Sequence, residues 1–187
     1  MTTVLTTTQP DCVDALVTLF RGLSTVTGNP PVAVYDGEPG SEPEDTYLQV
    51  GGGSTPTTIA GTQQWGPFGI SGVTAPTRDE TFVVTCYAYA FVGGVQDGSN
   101  TASDAQKTAR DQAYALVRDA ETGFRTDPKL ITAMTTNGVS TPGIGTGWIA
   151  LTRMDLLQMD STDPELGKGR RAIIEFDVEI YSRRYTT

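Results

Sequence analysis

The sequence predicts an α+β domain: a mixed or antiparallel sheet of about four or five strands, with two helices packed on one face and a long loop or arm added. Three observations lead there. Long segments alternate apolar and polar residues, two other segments repeat apolar residues at helical spacing, and the two kinds are interspersed along one chain.

The clearest strand is Arg171 to Tyr185, RAIIEFDVEIYSRRY. Ala172, Ile174, Phe176, Val178 and Ile180 fall on one side, and Ile173, Glu175, Asp177, Glu179 and Tyr181 on the other. Such period-2 alternation marks a strand with one dry and one wet face. A dozen extended residues reach roughly 40 Å, so this strand is expected to extend beyond the body of one subunit. Glu80 to Val92, ETFVVTCYAYAFV, is the second long strand. Both of its faces are fairly apolar, which predicts a central position or a covered face. Trp148 to Met159, WIALTRMDLLQM, is the third. Val32–Tyr35 and Thr46–Val50 are short strands around an acidic, proline-containing link, read as a hairpin with a widened tip.

The first helix spans about residues 10–24. Pro10 suits its first turn, and Asp11 and Asp14 suit the positive end of its dipole. Val13, Leu16, Val17, Phe20 and Leu23 form one apolar stripe, and Gly22 with the TGNPP run ends it. The main helix spans about 103–126, with Ser103 and Gln106 matching a capping box. Ala109, Ala113, Leu116, Val117, Ala120 and Phe124 form its stripe, and small alanines allow close approach to a sheet. Asp127-Pro128 closes it. Both single-faced helices need one common surface, which places them on the same side of the sheet.

Residues 51–79 are rich in Gly, Thr and Pro and show little periodicity apart from WGPFGI at Trp65–Ile70. A long irregular stretch inside a domain usually signals function or disorder, and Trp65 and Phe68 argue against simple disorder. Trp65 and Phe68 are aromatics that a lone domain has little reason to expose, so this arm is expected to contact a neighbouring subunit or partner. The whole chain, 1–187, reads as a single domain.

The composition narrows the function. Thirteen basic residues face 22 acidic ones, a net charge of −9, which disfavours bulk nucleic-acid binding. There is no histidine, the commonest general base and zinc ligand. Cys12 and Cys86 lie far apart, and no signal-like segment opens the chain. The expected setting is the cytosol of the cell that makes it, with both thiols reduced. No apolar run is long enough to cross a membrane.

No combination of residues assembles an active site. Glu175, Asp177 and Glu179 share a strand face and could in principle hold Mg²⁺, yet no second acidic cluster accompanies them. The ordinary reading is a solvated strand face. Cys86 has no histidine to activate it and sits among apolar alternates, as a buried structural cysteine does. GIGTG at Gly143–Gly147 departs from the dinucleotide fingerprint and precedes a strand instead of opening a helix. GKGRR at Gly167–Arg171 lacks phosphate-loop spacing. The chain is therefore expected to have no catalytic residues, no metal and no cofactor.

In order along the chain, an N-terminal amphipathic helix is followed by YLQVGG from Tyr47, QQWGPFG from Gln63 and RDETFVVTCYAYAF from Arg78. Then come ARDQAYALVRDAET from Ala109, DPKL from Asp127 and the closing RRAIIEFDVEIYSR. This succession, over nearly the whole chain, resembles the tail terminator (tail completion) proteins of long-tailed bacteriophages, above all those of actinobacteriophages. The chain departs from the family pattern after DPKL, where Leu130 leads into ITAMTTNG instead of a Gly-Gly.

The resemblance implies a structural virion protein of the tail neck, made in the host cytoplasm. It implies a hexameric ring at the head-proximal end of the tail tube that stops tube polymerisation and joins the tail to the head connector. Implied partners are further copies of the chain, the tail tube protein and the connector or stopper protein, with DNA passing through unbound and no membrane involved. Trp65, Phe68, Arg170, Arg171, Arg183 and Arg184 are the expected interface residues. Glu175, Asp177 and Glu179 are expected at the channel lumen or rim. Alternatives are another ring component of the particle (connector, stopper or tube protein), a monomeric binding module, or an enzyme.

Overall fold

The computed structural model describes residues 8–24, 26–27, 32–40, 44–52, 62–65, 77–93, 101–139, 143–161 and 169–185. The elements are α1 (Gln9–Arg21), β1 (Ala33–Asp36), β2 (Thr46–Val50), β3 (Thr62–Trp65), β4 (Thr77–Val92), α2 (Ala102–Thr126), α3 (Ile131–Thr136), β5 (Trp148–Ser161) and β6 (Gly169–Tyr185). The sheet runs β1-β2-β4-β6-β5, and β3 pairs with the start of β4 beside that path. Among the described strands all pairings are antiparallel except β1 with β2, and Gly145 makes an isolated parallel bridge to Arg183. The fold is thus α+β with a mixed sheet, and β4 is central, as its two apolar faces predict.

The alternation in β4 and β6 builds the core. Their pairing sets Phe82 against Ile180, Val84 against Val178, Cys86 against Phe176 and Ala88 against Ile174. All eight are buried, and the helices cover this face. Phe20 of α1 sits between the layers, its ring 5.9 Å from Phe124 of α2 and 6.3 Å from Phe176 of β6. Fully burying such a side chain contributes about 1.5–3 kcal/mol. Ala105, Ala109, Ala113 and Ala120 of α2 are fully buried, because the small side chains let the helix lie close on β4 and β6. Cys12 and Cys86 are free thiols inside this core, and burial pushes the Cys86 thiol far up from its ordinary range.

Several local expectations need correction. β1 and β2 do not form a hairpin; they are parallel neighbours, with Val34 opposite Leu48 and Asp36 opposite Val50. Gly37, at φ 81°, turns the chain at the end of β1 and its N–H donates to the Val50 carbonyl. The link 37–45 reaches about 30 Å when extended, well beyond the roughly 13 Å of a four-residue strand, so the chain has room to run back.

The main helix is capped by Thr101, not Ser103: the Thr101 hydroxyl oxygen accepts from the Asp104 N–H at 3.1 Å. Thr101 and Asp104 use the same spacing as the expected box, two residues earlier. Helix α3 was not predicted, because ITAMTT is too short for a periodic signal. It is held by Asp127, whose carboxylate accepts from the N–H groups of Ile131 at 2.8 Å and Ala133 at 3.1 Å. Part of the expected arm, 62–65, is strand β3, which pairs with 78–81.

Candidate interaction surface

Both long helices cover one face, and no helix among the described residues covers the other, the open face. Odd-numbered residues of β4 and β6 form it. Along β6 the row is Arg171, Ile173, Glu175, Asp177, Glu179, Tyr181 and Arg183, all half-buried. Two arginines close the ends of a row whose middle is acidic. Alternation sets Glu175, Asp177 and Glu179 on one face, as found, and the structure adds Arg171 and Arg183 to the row.

The acidic middle is not bare. β5 changes register between Leu151 and Arg153, so Leu151 lies opposite Val178 while Arg153 lies opposite Asp177. This bulge moves Arg153 onto the open face. Its guanidinium lies 3.1 Å from Glu175, 3.7 Å from Asp177 and 2.5 Å from Asp155. Asp177, with only 16% of its side chain exposed, also accepts from the Thr85 hydroxyl at 2.8 Å. Glu179 follows in the row, opposite Val83 and Ala150. Exposed ion pairs contribute little stability. Their effect here is to hold one cation over two adjacent carboxylates of β6. Arg153 and Asp155 were not singled out from sequence; simple alternation through 148–159 sets them on the wrong side.

One end of the face is aromatic. Tyr47 of β2 stacks on Tyr89 of β4, with ring centroids 4.6 Å apart and planes 15° apart. Tyr35 meets Tyr47 edge-on at 5.4 Å. The Arg171 guanidinium lies over the Tyr89 ring, 5.7 Å from its centroid. Phe91 and Ile173 complete this second small core. Burial, and then the neighbouring Tyr89, push the Tyr47 hydroxyl up to about 12. Burial and the Glu175 carboxylate likewise raise Tyr87. Both phenols are therefore neutral hydrogen-bond donors at physiological pH.

These side chains bound a groove of about 630 Å³, with Tyr47, Tyr87 and Tyr89 along it and Glu38, Asp155 and Glu175 among its charged lining. Its size, aromatic walls and charged edge are those of a binding site for a ligand or a partner chain. Among the described residues no cluster of three His, Cys, Asp or Glu side chains has a metal-holding arrangement.

The opposite end carries Trp148, 45% exposed, packed beside Tyr181 with centroids 6.2 Å apart. Arg183 forms a two-pronged pair with Asp79 of β4, Nε to Oδ1 at 2.7 Å and Nη2 to Oδ2 at 2.6 Å. That pair holds the Asp79 carboxyl below its usual range.

Of the other expected interface residues, Arg170 has the opposite strand parity from Arg171 and so belongs to the helix side of β6. Trp65 ends β3 and Arg184 is on β6, each described by its backbone. Phe68 lies outside the described residues. No helix among the described residues is long and apolar enough to cross a membrane. Comparison of the chain with models of known protein families finds no match, and neither does comparison with curated proteins.

Proposed function

We propose that this chain is a structural virion protein, a tail terminator subunit of a long-tailed bacteriophage. Six copies form a ring at the head-proximal end of the tail tube, in the neck of the virion. The ring stops tube polymerisation and joins the tail to the head connector or stopper. It is not an enzyme and needs no metal or cofactor. The order of motifs along the chain suggests the family. The open sheet face is the observation that carries the reading in three dimensions. Among the described residues helices cover one side only, and the other presents stacked tyrosines, paired charges and a groove lined by β2, β4, β5, β6 and the link after β1. Tyr47 and Tyr89 are buried against each other, while Tyr35, Tyr87 and Tyr181 are half-buried and Trp148 is exposed on the same face, aromatic surface that a contact would cover.

In this reading the contacts between copies draw on Tyr47, Tyr89 and Arg171 at one end of the face and on Trp148, Tyr181 and Arg183 at the other. Trp65, Phe68, Arg170 and Arg184 remain proposed contacts of the arm and strand ends. Glu175, Asp177 and Glu179 turn toward the channel or its rim, where carboxylates repel DNA and let it pass. Arg153 trims that charge at two of the three positions. Contacts around a cyclic ring are head-to-tail, one patch meeting a different one, and the two dissimilar ends of this face suit that geometry. Electron microscopy of the purified protein, alone and with tail tube protein, tests the reading. Single rings and capped tubes are expected. Open-ended polymers of this chain alone would indicate a tube protein, and monomers that ignore tubes would indicate a binding module.

A further inference from the structure

Strand β5 ends the main path of the sheet. It is 14 residues long and contains neither proline nor lysine; its guards are the bulge between Leu151 and Arg153 and the charges of Arg153 and Asp155. Residues 152–158 are all exposed. Within and beside this run Trp148, Met154, Leu156 and Leu157 are large apolar side chains 37–53% exposed. The charged residues of the run are Arg153 and Asp155, of opposite sign and two apart. A long apolar edge of this kind is a template for another strand.

We infer that β5 pairs antiparallel with β5 of a second copy, about a two-fold axis through Met154. The argument is self-complementarity. Directly opposite residues in an antiparallel pair share a face, so the register is restricted to residues of like orientation. With the axis at Met154, Arg153 of each copy faces Asp155 of the other, giving two opposite-charge pairs. Keeping the bulge between Leu151 and Arg153, the next partners are Leu151 with Leu156, Ala150 with Leu157, Ile149 with Gln158 and Trp148 with Met159. Each exposed apolar side chain then meets an apolar one.

Neighbouring registers fail. Moving the axis one residue sets Arg153 against Arg153 or Asp155 against Asp155, and like charges directly opposite destabilise a sheet. Moving it to Leu156 sets Met154 against Gln158, Arg153 against Met159 and Asp155 against Leu157. Within one copy Asp155 also lies directly opposite Glu175. A second guanidinium, from the other copy, offsets that juxtaposition. A two-fold contact differs in kind from the head-to-tail contacts of a cyclic ring, so this pairing belongs to subunits outside the ring and does not rest on the ring reading.

Cysteine crosslinking tests it. Met154 is exposed, so Met154→Cys leaves the core intact, and the two native thiols are buried and do not compete. Opposite residues in an antiparallel pair have Cα atoms about 4.5–5.5 Å apart, within disulfide range. Met154→Cys is expected to form a disulfide-linked dimer as the main species under mild oxidation. Ala150→Cys and Leu157→Cys are expected to stay unlinked alone and to link when mixed. A folded Met154→Cys protein that does not link, or Leu157→Cys linking with itself, overturns the pairing. Rings on tube ends without the Met154 link leave the ring reading standing and remove this one. The link without rings does the reverse.

Discussion

The Glu80 carboxylate in β4 accepts two hydrogen bonds from Thr8 at the head of α1, from the backbone N–H at 2.8 Å and from the hydroxyl at 2.5 Å. Glu80 is 1% exposed. The negative group sits where the helix dipole is positive and where the first N–H groups lack intrahelical partners. It ties the start of the first helix to a strand 72 residues away. Glu80→Gln keeps the size but removes the charge from both bonds, and a hydrogen bond to a charged group contributes about 1.5–3 kcal/mol. At about 2–4 °C per kcal/mol for a chain of this length, thermal unfolding should move down by about 3–12 °C. An unchanged midpoint would show that α1 does not depend on this anchor.

A backbone contact gives a sharper mutational test. A Cβ at Gly147 would stand 1.7 Å from the Tyr181 carbonyl oxygen, where β5 enters the sheet beside β6. No flexible side chain is available to move aside. Gly147→Ala should cost about 3 kcal/mol or more. Gly40→Ala, with nothing within 4 Å, serves as the control. Equal denaturant midpoints for the two variants would contradict the tight packing at this corner.

Alkaline pH probes the tyrosine stack. Tyr47 is raised to about 12 by burial and by Tyr89, above the ordinary value of about 10. A raised acid favours the neutral native form, so its stabilisation is fully present below pH 10. It is lost as pH rises from about 10 through 12, where the unfolded phenol ionises first. Tyr47→Phe should lose stability less steeply across that window, read as unfolding midpoints at successive pH values. Parallel profiles for the two proteins would mean that Tyr47 is not shielded.

The acidic row offers a functional variant. Glu175→Gln, Asp177→Asn and Glu179→Gln together leave Arg153 with Asp155 as its nearby carboxylate. Arg153 and Glu175 form a partly exposed, weak pair, and Asp177→Asn keeps an acceptor for the Thr85 hydroxyl, so folding should survive, and rings should still form and cap tubes. Phage carrying the triple change should eject DNA more slowly, because the channel wall no longer repels it. Rings that fall apart would instead make these carboxylates subunit contacts.

Legibility in the sequence followed the strength of periodicity. The alternation of 171–185 and 80–92 gave two strands, their shared core and the open face, because a period of two assigns every side chain at once. The stripes around Phe20 and Leu116 gave both long helices and their common side. The same logic failed at β5, where one extra residue between Leu151 and Arg153 reverses the alternation and hides Arg153 as a partner of Glu175 and Asp177. The direction of β1 escaped because the link 37–45 is long enough for either topology. Glu80 was read as the start of a strand, since nothing local indicates that Thr8 meets it. The Tyr35–Tyr47–Tyr89 cluster joins three strands whose order was unknown before pairing.

The most direct test of the terminator reading is to mix purified protein with polymerising tail tube protein and to view the products by negative-stain electron microscopy. The expected result is one ring of this chain at one end of each tube, with tubes that stop lengthening once capped. Tubes that keep growing with bare ends, while this chain remains monomeric beside them, would contradict the account.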